Sequence, residues 1–451
     1  MPRTHRTAAV RTSPRKVASA SFIGTTVEYY DFFIYGTAAA LVFPSLFFPD
    51  SSPLVGTLLS FATLGVGFLA RPIGGIVFGH YGDRVGRKTM LVISLLIMGT
   101  ATVFMGLLPT YEQIGLAAPL LLTVLRLVQG FAVGGEWGGA TLMAVEHAPA
   151  GKRGFYGAFP QMGAPAGVGL ATIAFYLAAK LEPGQFASWG WRVPFLLSAI
   201  LVIVGLLIRL SIAESPEFEK VRESNDRVKL PIAEAFRRHP REIFLVAGTY
   251  LSQGVLAYIC MSYLVSYATK EVGIARPQVL LGVFVAAVVA VVLYAVFGSL
   301  GDRWGRKTTY FIGAVAMLLT VAPAFALINT GSAVNFTIAL VLLFGIAMAP
   351  GGGVTGSLFS LVFTPEVRYS GASVGYTISQ ICGAAFAPLI ATALYAANGS
   401  STPVVVYLLV VCAISVVSVV LLPGKLWQAD PVERDAEVAG ADRLDDVPSR
   451  V

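Results

Sequence analysis

The chain has 451 residues, of which 56 % are hydrophobic and only 13 % are charged. A soluble domain averages about 25 % charged residues, so one aqueous core cannot hide this much apolar surface and lipid must cover it. The 32 basic residues exceed the 25 acidic ones by 7; in a membrane protein that excess reports topology, and no nucleic acid is needed to explain it.

A membrane helix needs about 20 mostly apolar residues. Stretches of that kind predict twelve, in chain order at 20–47, 54–80, 88–108, 116–145, 154–180, 191–211, 242–269, 277–300, 307–328, 334–362, 370–396 and 402–423. The first contains Glu28 and Asp31 and lacks a small-residue cleavage site, so it reads as a retained helix behind a short leading segment, 1–19. The longest hydrophilic interruption, 212–241, mixes acids with bases and separates six helices from six. It reads as a solvated linker carrying one or two amphipathic helices. The expected fold class is therefore all-α and integral to the membrane, with bundles at 20–211 and 242–423 and an acidic, disordered tail at 424–451.

Placing both termini and the loops after helices 2, 4, 6, 8 and 10 on one side collects 26 of the 32 basic residues there. The other side holds Lys180, Arg192, Lys270 and Arg276, while Arg71 and Arg126 lie within helices. This bias makes the basic side, with both termini, cytoplasmic. Cys260, Cys382 and Cys412 lack ligand-like spacing, so neither a disulfide, a metal nor another cofactor is expected. Trp189, Trp191 and Trp427 read as anchors at the membrane edge.

A ten-residue segment occurs twice: GHYGDRVGRK at Gly79–Lys88 and GSLGDRWGRK at Gly298–Lys307. Seven positions are identical, and the copies start 219 residues apart, nearly half the chain. Two similar halves follow. Gly82, Gly86, Gly301 and Gly305 permit the backbone angles of a tight turn. The segment is one residue short of a phosphate-binding loop between its glycines, so nucleotide hydrolysis is not expected.

Charges at membrane depth are costly and mark function by default. Helix 1 carries Glu28 and Asp31, three apart and on one face, with Tyr35 a turn further on. Helix 4 carries Arg126, and an Arg so deep needs a partner, for which Asp31 is the best available. Separation of such a pair would let Asp31 take a proton. Arg126 has a second candidate role, as a fork for a substrate carboxylate. The polar and aromatic residues expected to line a cavity are Tyr29, Tyr30, Tyr35, Gln129, Trp137 and Gln161 in the first half, with Gln253, Tyr258, Tyr376 and Gln380 in the second. Pro350-Gly351-Gly352-Gly353 is expected to bend or unwind helix 10.

The doubled GxxGDRxGRK loop resembles the signature of the major facilitator superfamily. The segments at 22–49, 68–88, 125–149, 188–198, 214–218 and 364–376 are similar to one branch of it, the metabolite:proton symporters. That branch includes bacterial carriers of shikimate, α-ketoglutarate, citrate and proline or betaine. The resemblance implies two six-helix bundles about a pseudo-two-fold axis, alternating access, and a helix-1 acid close to a helix-4 Arg. It also implies gating by the loops, through Gly79, Asp83, Arg84, Gly86 and Arg87 in one copy and Gly298, Asp302, Arg303, Gly305 and Arg306 in the other. Each Asp would approach a helix N-terminus, and Glu146 with Arg153, and Glu366 with Arg368, would pair at helix ends.

The expectation is a transporter rather than an enzyme: a monomeric inner-membrane symporter of a small organic acid anion, with Asp31, Glu28 and Arg126 coupling protons. Uptake of a zwitterionic osmolyte, a receptor without net transport and a drug exporter are the alternatives. The short acidic tail, the intact double loop and the deep Arg count against them in turn.

Overall fold

The computed structural model describes residues 14–85, 87–134, 144–145, 148–149, 151–211, 231–364 and 367–427. Twelve long helices carry the architecture. They are α1 (Pro14–Leu41), α2 (Pro53–Val85), α3 (Arg87–Leu107), α4 (Ala117–Val133), α5 (Arg153–Ala178) and α6 (Arg192–Ser211). The second six are α7 (Pro240–Lys270), α8 (Arg276–Trp304), α9 (Arg306–Ile328), α10 (Ala333–Val362), α11 (Ser370–Asn398) and α12 (Thr402–Leu421). Ten of them are long and apolar enough to cross a membrane; α4 is shorter, and α1 carries Glu28 and Asp31 in its middle. Hydrocarbon offers backbone groups no water, so a spanning segment must bond its own peptides, which a helix does.

The expected first helix divides differently. It begins earlier, at Pro14, and stops at Leu41; a separate short helix, Phe43–Phe47, follows with Pro44 near its start. Proline lacks the N–H that continuation of α1 requires. Part of the expected linker is also helical, at Pro231–Arg238, while 212–230 lies outside the described residues.

Glycines let helices meet backbone to backbone. A Cβ on Gly130 of α4 would fall on the Gly67 carbonyl of α2, and one on Gly134 would fall on the Arg71 carbonyl. Gly163 and Gly167 bring α5 onto the backbone of α1 in the same manner. From there α5 packs across the molecule on α8 and α10. The two halves also touch at the far end from the repeated segments, where the Lys270 ammonium donates to Thr57 Oγ1 at 2.9 Å and Arg276 lies 4.8 Å over the Phe186 ring.

Two expectations need correction. Pro350–Gly353 does not unwind α10: the run is helical, and the departure lies just before it, a π-helical turn at Val341–Ala347. The glycines serve close packing, since a Cβ on Gly353 would meet the Tyr294 carbonyl and the Gly298 nitrogen of α8. Trp191 is no interface anchor but fully buried, edge-on to Phe43, Phe47 and Phe195. Trp427 packs edge-on to Phe311, with the Lys307 ammonium over its ring. Trp189, half exposed, keeps the expected surface position.

Overpacking at a close helix crossing costs about 1–3 kcal/mol. Gly130→Ala is therefore expected to lower the thermal midpoint of the purified chain in detergent. Gly184→Ala, which meets open space, should leave it unchanged.

Candidate functional site: a cavity between the halves and the charges beside it

A cavity of about 30 Å³ lies between the halves. A water needs about 10–15 Å³ on this measure, so the space holds two or three waters and no metabolite. Tyr29, Phe33 and Gln161 line it from the first half; Tyr250, Gln253, Tyr258, Tyr294 and Gln380 are among its walls in the second. Among the described residues no charged side chain faces it.

The lining of α7 follows helical spacing. Tyr250, Gln253, Gly254, Ala257 and Tyr258 recur at i, i+3, i+4, i+7 and i+8, one stripe of the helix. Tyr250 thus shares a face with Gln253, a signal the sequence contains; Tyr294 carries no comparable mark. Gln253 Nε2 donates to Tyr294 Oη at 3.0 Å and to the Met348 carbonyl at 3.1 Å. The Tyr29 and Tyr376 hydroxyls stand 2.9 Å apart across the halves, and Gln380 Nε2 donates to Tyr376 Oη at 3.0 Å. Gln253 Oε1 and Gln380 Oε1 are both buried without partners, so each amide keeps an acceptor in reserve. Gln380 also opens another π-helical turn, Gln380–Ala384; such turns often accompany functional sites.

Other expected lining residues sit elsewhere. Tyr30 donates to the Pro194 carbonyl at 2.6 Å and Tyr35 to Thr63 Oγ1 at 2.6 Å, both within the first half. Trp137 lies outside the described residues. Gln129 is fully buried among α1, α3 and α4, where Nε2 donates to Thr102 Oγ1 at 2.9 Å and to the Asp31 carbonyl at 3.3 Å.

That position explains a difference from expectation. Asp31 and Arg126 are both fully buried, yet they form no ion pair with each other. Arg126 donates instead to Gln129 Oε1, and its guanidinium lies 3.9 Å over the Phe32 ring and 4.3 Å over the Tyr35 ring. Asp31 Oδ1 accepts from Ser198, and Oδ2 has no partner. A Gln amide and two aromatic faces thus do what a carboxylate was expected to do. Each aromatic face offers a desolvated cation about 0.5–2 kcal/mol. Glu28, nearly buried, has Arg71 and Arg209 as the cations in its electrostatic reach.

At the end holding the repeated segments, Asp302 caps α5 from the other half. Its Oδ1 accepts from Gly154 N at 2.6 Å and its Oδ2 from Phe155 N at 3.0 Å, and Arg306 Nη2 stands 3.4 Å from Oδ1. A helix N-terminus leaves such N–H groups unpaired and bears positive potential, so a carboxylate suits it. Gly298 lies against Gly154 and Ala158, and Gly305 turns the chain with φ +90°. Lys307 donates to the carbonyls of Leu422 at 2.5 Å and Val420 at 3.1 Å, closing the last turn of α12. Arg303 is exposed, and Arg368 has a buried Nε with no partner. In the first copy, Gly86 and the side chains of Asp83, Arg84 and Arg87 lie outside the described residues, as do Glu146 and Glu366.

This architecture coincides with known proteins. A family model described as sugar (and other) transporter matches residues 16–229, and one described as Major Facilitator Superfamily matches 246–443. The chain is 44 % identical to the inner membrane metabolite transport protein YhjE of Escherichia coli K12, over 91 % of this chain and 94 % of that protein. It is 40 % identical to the shikimate transporter of the same organism, over 90 % and 94 %. To the proline/betaine transporter it is 31 % identical, over 90 % and 82 %. In fold it matches a crystal structure of a D-xylose-proton symporter with a TM-score of 0.71 at 17 % identity, covering 93 % of this chain and 100 % of that one. The chain belongs to the major facilitator superfamily. It is a multi-pass membrane transporter with two six-helix bundles.

Hydrogen bonds to a charged group contribute about 1.5–3 kcal/mol. Asp302→Asn is expected to loosen the α5–α8 contact about tenfold. The measurement is alkylation of a cysteine placed at Gln161 in a Cys382→Ser background, whose rate should rise accordingly; an unchanged rate would mean the cap does not hold this end closed.

Proposed function

We propose that the protein is a proton-coupled symporter that takes up a small polar metabolite, an organic acid anion. The observation that carries this reading is the juxtaposition of a neutral cavity, rich in hydroxyls and amides, with the buried acids of α1. Tyr29 faces the cavity, and Glu28 and Asp31 lie within a turn of it on the same helix. A polyhydroxylated acid such as shikimate matches the cavity's hydrogen-bonding groups, and the similarity to a shikimate transporter supports that class.

Energetics favour a proton partner. Bringing one negative charge into a cell held at −100 mV costs about 2.3 kcal/mol. One accompanying proton cancels that cost, and a second turns the potential into a driving force. Asp31 supplies the proton site: one oxygen is held by Ser198, and the other is free to take a proton. The end with the repeated loops faces the cytoplasm, with both termini, and Asp302 of α8, capping α5, latches it. Residues 20–211 and 242–423 are the bodies that rock.

A second reading has its own support. Six aromatic rings line the cavity, from Tyr29, Phe33, Tyr250, Tyr258, Tyr294 and Phe344. Ring faces attract quaternary ammonium groups, so glycine betaine fits as an alternative cargo.

Proteoliposomes with an imposed inward proton gradient test the proposal, with labelled shikimate and glycine betaine as probes. The wild type should accumulate one of them and lose accumulation when the gradient is collapsed. Asp31→Asn should abolish gradient-driven accumulation yet retain counterflow exchange. Accumulation by Asp31→Asn would refute its role, and binding without exchange by the wild type would indicate a receptor.

A further inference from the structure

Arg71 is the one charged residue in the membrane-spanning length of α2, Pro53–Phe78. Its guanidinium is held between two rings, 4.5 Å from the centroid of Phe32 on α1 and 4.3 Å from that of Phe68 one turn back on its own helix. Aromatic faces hold a guanidinium in place without using its N–H groups. Among the described residues Arg71 makes no hydrogen bond or ion pair, and its Nε is buried without a partner. Arg126 lies over the same Phe32 ring. Two guanidinium groups therefore share one aromatic ring, and neither has a carboxylate bonded to it.

Phe32 and Phe68 lead to the cavity. Both pack edge-on to Tyr258, at 5.8 and 5.3 Å between centroids, and Tyr258 forms part of the cavity wall. The polar groups within the electrostatic reach of Arg71 include Tyr258, Tyr376 and Glu28. Tyr376 belongs to the hydroxyl pair that joins the halves. Arg126 is fully enclosed and already donates to Gln129, whereas Arg71 retains exposure and its full fork.

The geometry points to Arg71 as the residue that receives the substrate carboxylate. A guanidinium fork matches a carboxylate in two parallel hydrogen bonds. The aromatic clamp presets the fork, and parting of the Tyr29–Tyr376 pair would bring it into continuity with the cavity. The rest of the substrate would then lie against the hydroxyls and amides of α7 and α11. This assignment rests on the proposed carriage of a carboxylate-bearing metabolite.

The test measures binding to the purified full-length chain in nanodiscs. The probes are shikimate, glycine betaine and 2-oxoglutarate, each beside its methyl ester, which removes a carboxylate charge and keeps the frame. The wild type should prefer at least one acid over its ester. Arg71→Gln should weaken that acid at least tenfold and leave the ester unchanged, and Arg71→Lys should recover part of the preference. Ester binding reports that each variant is folded. A preference retained in Arg71→Gln would overturn the assignment alone. No preference in the wild type would overturn the carboxylate reading and the assignment with it. If Arg71 only offsets Glu28, the double variant Glu28→Gln/Arg71→Gln would restore the preference, and that result also overturns the assignment.

Discussion

Inside a bilayer no water is at hand to solvate a charge or a lone peptide group, and the whole molecule is arranged around that scarcity. Helices settle the peptide groups. The side-chain charges are settled in an uneven way. Glu28, Asp31, Arg71 and Arg126 all stand within helices of the first half, whereas α7 to α12 carry no charged residue away from their ends. Two halves built on one plan have thus been given different chemistry. The first holds the ionisable groups at membrane depth. The second holds neutral amides and phenols, on helices α10 and α11 whose π-helical turns redirect side chains near the cavity.

Much of the fold was legible in the sequence because membrane thickness imposes a length on every spanning segment. Most predicted helices begin and end within a few residues of the observed ones, and the repeated loop marked the two halves. The exceptions have local causes. Pro44 ended α1 early, an event that an apolar count does not register. Pro350–Gly353 read as a break because each residue weakens an isolated helix. In the bundle the same small residues bring α10 against the backbone of α8, and that packing offsets their poor propensity.

The site was legible only in kind. Sequence spacing places residues on a face but does not say which neighbouring helix presents what to that face. Gln129 shared a helix with Arg126, and its role between Arg126 and the Asp31 backbone depends on how α4 meets α1. Arg71 was visible as a charge within a helix, but its aromatic clamp needs Phe32 from another helix. Tyr30 and Tyr35 sat near the right residues and turned to Pro194 and Thr63, since a buried phenol takes whatever acceptor its helix face offers. By contrast, the Asp302 cap lies at a helix end, where unpaired N–H groups are a fixed property of helices and the chemistry of the partner follows from the element itself.

The narrowness of the central cavity has a counterpart at its two ends. The halves meet on both sides of it, through the Asp302 cap at one end and the Lys270–Thr57 hydrogen bond at the other. The two closures differ in kind: a carboxylate on peptide N–H groups at one end, an ammonium on a hydroxyl at the other. Each end can therefore be weakened by its own substitution while the other is left intact.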